Sequence, residues 1–172
     1  MDRSVCPVCL ESVIKFSDER GDDTYTVGCA RCGEFKVVAT AAEMFTDTAL
    51  ESTDSGTPRL GPEGSRRRAN ASAWIREYSD PDQVIGSKDV PRLASLPTPG
   101  VLERCDLLLL SLAAKIDEVG EETDLGHPEW TARSWSLSRE EAYELAKLLK
   151  SQGWLELGVG TDDLIPVRIT FP

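Results

Sequence analysis

Cys6-Pro7-Val8-Cys9 and Cys29-Ala30-Arg31-Cys32-Gly33 set two Cys-x-x-Cys pairs 19 residues apart at the front of the chain. Four thiolates so spaced suit one tetrahedral metal ion, the ligand pattern of a zinc ribbon. A four-Cys site is closed, with every coordination position filled by protein, so the Zn²⁺ expected here builds structure and does no chemistry. The flanks agree: Thr24-Tyr25-Thr26-Val27 approaches the second pair as a strand and Phe35-Lys36-Val37-Val38 leaves it as another. Gly33 permits the tight turn after Cys32, whereas Leu10 occupies the matching place after Cys9. Iron in a rubredoxin-like cage and a redox dithiol pair use the same side chains, and only the general preference of such sites separates zinc from iron.

A ribbon of about 40 residues cannot bury a core of its own and depends on its ion, but 172 residues can hold a second module. Four of the five cysteines stand in metal spacing, so the chain is not read as a secreted disulfide scaffold. With no signal-peptide core or membrane-length apolar run, it reads as cytoplasmic. The net charge is −11, and residues 101–172 carry seven basic against fourteen acidic side chains. A nucleic-acid backbone would meet repulsion there.

Beyond the ribbon the spacing predicts a short amphipathic helix over residues 39–50 on Ala42, Phe45 and Ala49. A polar loop rich in Gly, Pro and Ser follows over 51–65 and reads as flexible. Ser65 then caps a helix over 66–78 whose inner face is Ala71, Trp74, Ile75 and Tyr78. Thr98 and Pro99 open a leucine-rich helix with the stripe Leu102, Cys105, Leu109, Leu112, Ile116 and Val119, ended by Gly120. Residues 121–136 read as an acidic loop, and Ser138-Arg139-Glu140-Glu141 as a capping box opening a helix that runs to Gly153. Two alternating strands, around 154–157 and 167–171, complete the order helix, helix, β-hairpin of a winged helix. The expected fold is therefore α+β: a zinc ribbon over 1–40, a helical link over 41–100, and a winged-helix-like module over 101–172. The chain stops on Phe171-Pro172, directly after the second of those strands, which points to a piece of a longer protein or a terminus pinned in a sheet.

The remaining candidate residues carry less chemistry. Cys105 lies on an apolar stripe and reads as a buried structural thiol, and His127, between Gly126 and Pro128, as an exposed loop residue. Arg66-Arg67-Arg68 is the only basic run and the one candidate for gripping nucleic-acid phosphates. All four tryptophans read as core by default, Trp130 and Trp135 as anchors of residues 121–136 onto it, with a binding anchor as the alternative for Trp130. Residues 117–124 have the carboxylate density of a calcium loop without its ligand spacing, and read as solvated. Leu107, Leu108 and Leu110 add apolar surface beyond the stripe, so Leu107 and Leu110 are assigned to association with a second chain or domain.

The paired knuckles, the Ala73-Trp74-Ile75-Arg76-Glu77 helix, and Leu148-Leu149-Lys150-Ser151-Gln152-Gly153-Trp154-Leu155 followed by Val167-Arg168-Ile169-Thr170 resemble the N-terminal part of certain bacterial multidomain proteins. In those, a zinc ribbon and a winged-helix-like segment precede a nucleoside 2-deoxyribosyltransferase-like or TIR-like domain. The resemblance implies an accessory or sensing module serving nucleotide metabolism or defence signalling. It carries over only Cys6, Cys9, Cys29 and Cys32, as metal ligands. The function expected is thus non-catalytic, exerted through a protein partner, a homodimer or the chain's own C-terminal domain, and not through nucleic acid or a membrane. The rivals are a winged-helix DNA-binding regulator, favoured by fold analogy alone, and an enzyme with an unrecognised site.

Overall fold

A computed structural model describes residues 4–19, 23–47, 62–80, 82–116, 121–160 and 165–170. The fold is mixed α+β and divides into two compact units, Met1–Thr98 and Pro99–Pro172. No helix among the described residues is long and apolar enough to cross a membrane.

The N-terminal unit is built on a sheet of four strands, β1 (Val13–Glu19), β2 (Thr24–Cys29), β3 (Gly33–Val38) and β4 (Val84–Ile85), in that order, with helices α1 (Ala39–Asp47), α2 (Pro62–Tyr78) and α3 (Val90–Ala94). β1, β2 and β3 run antiparallel, and β4 joins β3 in parallel. The alternation of Thr24-Tyr25-Thr26-Val27 places Val27 in the core, opposite Phe35 of β3. Both pack with Val37, Ala41, Phe45, Ile75 and Leu93 in one apolar cluster that also includes Cys6, Cys29 and Cys32. The helical link is thus part of the same core as the strands, because a short sheet buries its apolar face only by recruiting helices.

The helix predicted over 66–78 begins earlier, at Pro62, where proline's fixed φ and missing N–H suit the first turn. Residues 62–65 of the predicted flexible loop are therefore helical, while 51–61 lie outside the described residues. Tyr78, assigned to the inner face of that helix, is exposed.

The C-terminal unit contains α4 (Val101–Lys115), β5 (Glu122–Asp124), α5 (Pro128–Arg133), α6 (Arg139–Ser151), β6 (Leu155–Leu157) and β7 (Pro166–Ile169). The strands form an antiparallel sheet in the order β5-β7-β6. Leu108, Leu112, Trp130, Leu145, Leu149, Leu155 and Val167 fill its core.

Several expectations for α4 are corrected. It opens at Val101 with Gly100 as N-cap, not at Thr98-Pro99, since the Thr98 hydroxyl is engaged with the Asn70 side chain. Its inner face is Arg104, Cys105, Leu108 and Leu112. Leu102, placed on the core stripe, is 72% exposed, while Leu108, placed off it, is fully buried. The helix ends at Lys115, so Ile116 is its C-cap, and Val119 and Gly120 lie outside the described residues.

The segment 121–136 is not a loop. Glu122, Thr123 and Asp124 form a strand because β7 pairs with it, and Arg168 stands opposite Glu122 with its guanidinium 2.7 Å from that carboxylate. Trp130 and Trp135 are buried as the core reading expects, with Trp130 Nε1 donating to the Asp124 carbonyl at 2.7 Å, whereas Trp154, also assigned to the core, is 36% exposed.

Candidate metal centre

The two Cys-x-x-Cys pairs occupy two turns that face each other. Cys29 and Cys32 bracket the β2–β3 hairpin, where Cys29 lies opposite Gly33. Cys6 and Cys9 bracket an earlier turn closed by a bridge between Val5 and Ser12, and Val13 then pairs with Cys29. Sheet register and this bridge thus bring both pairs to one point. The four sulfurs lie within 4.8 Å of one another, with Cys6 to Cys32 at 3.8 Å and Cys9 to Cys29 at 3.4 Å. Sulfurs each about 2.3 Å from a tetrahedral zinc ion would stand about 3.8 Å apart. The donor set therefore fits, and these four residues could hold a metal ion.

The thiols are strongly coupled. The hydrogen bond with Cys29 raises the Cys9 thiol, burial raises Cys32, and hydrogen bonds from Cys32, Cys6 and Cys9 lower Cys29. Four thiolates this close repel one another unless a cation neutralises them. The Cys32 amide already donates to Cys29 Sγ at 3.5 Å, the usual backbone support of a thiolate knuckle.

Both knuckles turn through the left-handed region at the residue after their second cysteine, Leu10 at φ 65° and Gly33 at φ 82°. Left-handed backbone costs a side chain about 1–2 kcal/mol. A Cβ on Gly33 would meet Arg76 Cδ at 3.5 Å, an ordinary contact, so backbone strain is the whole cost there. Gly33→Ala is expected to destabilise the metal-loaded unit by about 1–2 kcal/mol. Leu10→Gly relieves strain at a half-exposed position but loosens the unfolded chain, for a net gain of at most about 1 kcal/mol. Denaturant unfolding at fixed zinc concentration compares the two. Equal destabilisation by both would show that the φ at Leu10 costs nothing.

α2 supplies a part of the site that the sequence reading did not assign. Arg68, Ser72 and Arg76 are spaced by four and share one helix face. Arg68 Nη1 donates to the carbonyls of Pro7 at 3.0 Å and Val8 at 2.7 Å, inside the first knuckle, and its Nη2 to Phe45 at 2.9 Å. Arg76 Nη1 donates to Ala30 at 2.9 Å and Arg31 at 3.2 Å, inside the second knuckle. Between them the Ser72 hydroxyl lies 3.2 Å from Cys32 Sγ. Burial lowers the Arg68 guanidinium from its ordinary value, against the pull of the Cys9, Cys6 and Cys32 sulfurs. One helix stripe thus holds both ligand turns and sets two positive charges beside them. The signal was present in the spacing Arg-x-x-x-Ser-x-x-x-Arg.

The basic run is correspondingly divided. At about 100° per helical residue, Arg68 points well away from Arg66. It is buried against the metal site, whereas Arg66 is half-buried and Arg67 exposed. Of the association candidates, Leu110 is 66% exposed and Leu107 half-buried. Cys105 is buried on α4, where burial raises its thiol, so it is an inert core residue. His127 is the N-cap of α5, Nδ1 accepting from the Glu129 amide at 3.3 Å. Cys6, Cys9, Cys29 and Cys32 form the one group of metal-ligating side chains found among the described residues. Comparisons of the chain with protein-family models, curated proteins and solved structures return no match.

Proposed function

We propose that this chain is a non-catalytic binding module, an N-terminal zinc ribbon with one structural Zn²⁺ followed by a winged-helix-like unit that docks on protein. The closed cage supports the structural role, since α2 covers it and no ligand position is left for substrate. The winged-helix reading is supported by the order α4, β5, α5, α6, β6, β7 with the sheet arranged β5-β7-β6. Cys105 and His127, the residues best suited to catalysis by type, are engaged in core packing and helix capping.

The observation that carries the choice of protein over DNA is the outward face of α6, the helix a winged helix would lay in the major groove. Its exposed charged residues are Glu140, Glu144, Lys147 and Lys150, and Lys147 is already paired with Glu144 at 2.7 Å. No cation surplus remains for phosphates. Leu148 and Trp154 are exposed at the same end, an aliphatic and aromatic pair of the kind that anchors protein interfaces.

A salt series on duplex DNA of mixed sequence tests this reading. Binding should be no tighter than the non-specific range of about 10⁻⁴ to 10⁻⁶ M at physiological salt. Nanomolar binding with a steep salt slope would instead establish the DNA-binding regulator. A second copy of the chain is the first protein partner to examine, by light scattering over a concentration series. Leu110→Glu should shift the mass toward monomer while changing folding stability by less than about 0.5 kcal/mol, because the side chain is mostly solvated.

A further inference from the structure

Three arginines are buried among the described residues, and two of them face a carboxylate. Arg104 meets Glu141 at 3.0 Å and Arg31 meets Glu11 at 3.5 Å. Arg68 is different. It is 8% exposed, its Nη atoms reach only the neutral carbonyls of Pro7, Val8 and Phe45, and its Nε is buried without an acceptor. Among the described residues no carboxylate pairs with it, and the charges that favour its guanidinium form are the Cys9, Cys6 and Cys32 sulfurs. A buried cation without a counter-charge is strongly destabilising, so the metal centre itself is the counter-charge this side chain requires.

One helical turn further along α2, Ser72 is fully buried with its hydroxyl 3.2 Å from Cys32 Sγ. A buried hydroxyl is costly unless it is bonded, and this sulfur is its partner. A thiolate can only accept, so Ser72 is the donor once Cys32 is deprotonated as a metal ligand. One helix face thus turns a positive charge and an O–H donor toward the same four sulfurs. The charge of the ion decides what this arrangement favours. Four thiolates around a divalent ion leave two negative charges in excess, and around a trivalent ion only one. A fixed cation and a donor to sulfur stabilise the more negative cage by the larger amount.

We propose that Arg68 and Ser72 are positioning residues that set the metal specificity of the four-Cys centre, favouring a divalent ion such as Zn²⁺ over a trivalent one such as Fe³⁺. Neither is a ligand. Arg68 supplies the counter-charge while holding the Pro7 and Val8 carbonyls of the first knuckle, and Ser72 fixes the Cys32 thiolate of the second. The inference deepens the zinc-cage reading and rests on it, but not on the docking of the C-terminal unit.

Two measurements on the full chain test it: zinc affinity by competition with a chelator, and the Fe³⁺/Fe²⁺ potential of the iron-loaded protein. Ser72→Ala suits a helix and adds no bulk, and it should weaken zinc about tenfold or more, the usual effect of losing a group that supports a ligand. Arg68→Gln should weaken zinc at least as much, and Arg68→Lys, which restores the charge, should recover part of the loss. Ser72→Ala and Arg68→Gln should both shift the iron potential downward, because each removes something that favours the more negative ferrous cage. Arg68→Lys should leave the potential near that of the wild type, a rescue that a merely structural role would not produce. If Arg68→Gln does not fold, Ser72→Ala decides alone. Unchanged zinc affinity or an unshifted potential in Ser72→Ala would overturn the proposal while leaving the zinc cage standing, as would a downward shift in Arg68→Lys as large as that in Arg68→Gln. A wild-type chain that bound neither zinc nor iron would overturn the cage itself, and this inference with it.

Discussion

Chelation of the metal, or Cys29→Ser, is expected to unfold the N-terminal unit while α4, α5 and α6 stay helical. The reason lies in where the ligands sit. Cys6, Cys29 and Cys32 are buried members of the apolar cluster that also holds Val27, Phe35 and Ile75, so the centre is part of the core and not an appendage to it. Structural zinc in small domains has an apparent binding free energy of about 10–16 kcal/mol at neutral pH. That is comparable to the about 5–15 kcal/mol by which a whole domain is stable. Loss of the metal therefore removes stabilisation as large as this unit's whole reserve, and loss of one of its four thiolates weakens the metal's hold. The damage stays local because the second unit has a separate core around Leu108, Trp130 and Leu149. Metal analysis should give one zinc per chain. Far-ultraviolet circular dichroism should show partial loss of signal, with one cooperative melt remaining. Full metal occupancy after replacement of all four cysteines would sink the assignment, and so would an unchanged melt after complete chelation.

The four clustered cysteines were legible in the sequence because Cys-x-x-Cys spacing is a local signal, and β2 and β3 because their alternation is local too. The capping box was legible for the same reason, and Ser138 Oγ does accept from the Glu141 amide, at 3.4 Å. What the sequence hid depends on partners far along the chain. β5 is acidic and lacks apolar alternation, and it becomes a strand only because β7, some 40 residues on, pairs with it. Leucine content suggested which face of α4 turns inward, but the inward face includes Arg104, whose partners lie 30 to 37 residues away. In the sequence Arg68 belongs with Arg66 and Arg67 to one basic run. Its role emerges only when the carbonyls of Pro7, Val8 and Phe45 are brought to it. A buried arginine looks like a surface arginine until its acceptors are known.

That argument yields the second large effect: Arg104→Met is expected to destabilise the C-terminal unit by about 3 kcal/mol. Arg104 is 5% exposed, and each of its guanidinium nitrogens is used. Nε donates to the Ser134 carbonyl at 3.1 Å, Nη1 to Glu141 Oε1 at 3.0 Å, and Nη2 to Ser136 Oγ at 3.0 Å. All three partners belong to the turn joining α5 to α6 or to the first turn of α6, where the Glu141 carboxylate also accepts from the Leu137 amide. One side chain on α4 thus sets the angle at which α6 leaves α5. Breaking a buried pair by removing one partner costs about 3–5 kcal/mol, and the lower end applies here because Glu141 is 28% exposed and water can take over part of its solvation. Glu141→Gln keeps an acceptor for Nη1 and should cost only about 1 kcal/mol. Denaturant unfolding of the single and double variants gives the coupling between the two residues directly. If Arg104→Met costs less than about 0.5 kcal/mol, the residue behaves like a surface arginine and the turn is held by Ser138 and the core alone. A cost near 3 kcal/mol with strong coupling to Glu141 would show that the outward face of α6, where the proposed docking residue Leu148 stands, is oriented from within by one buried cation.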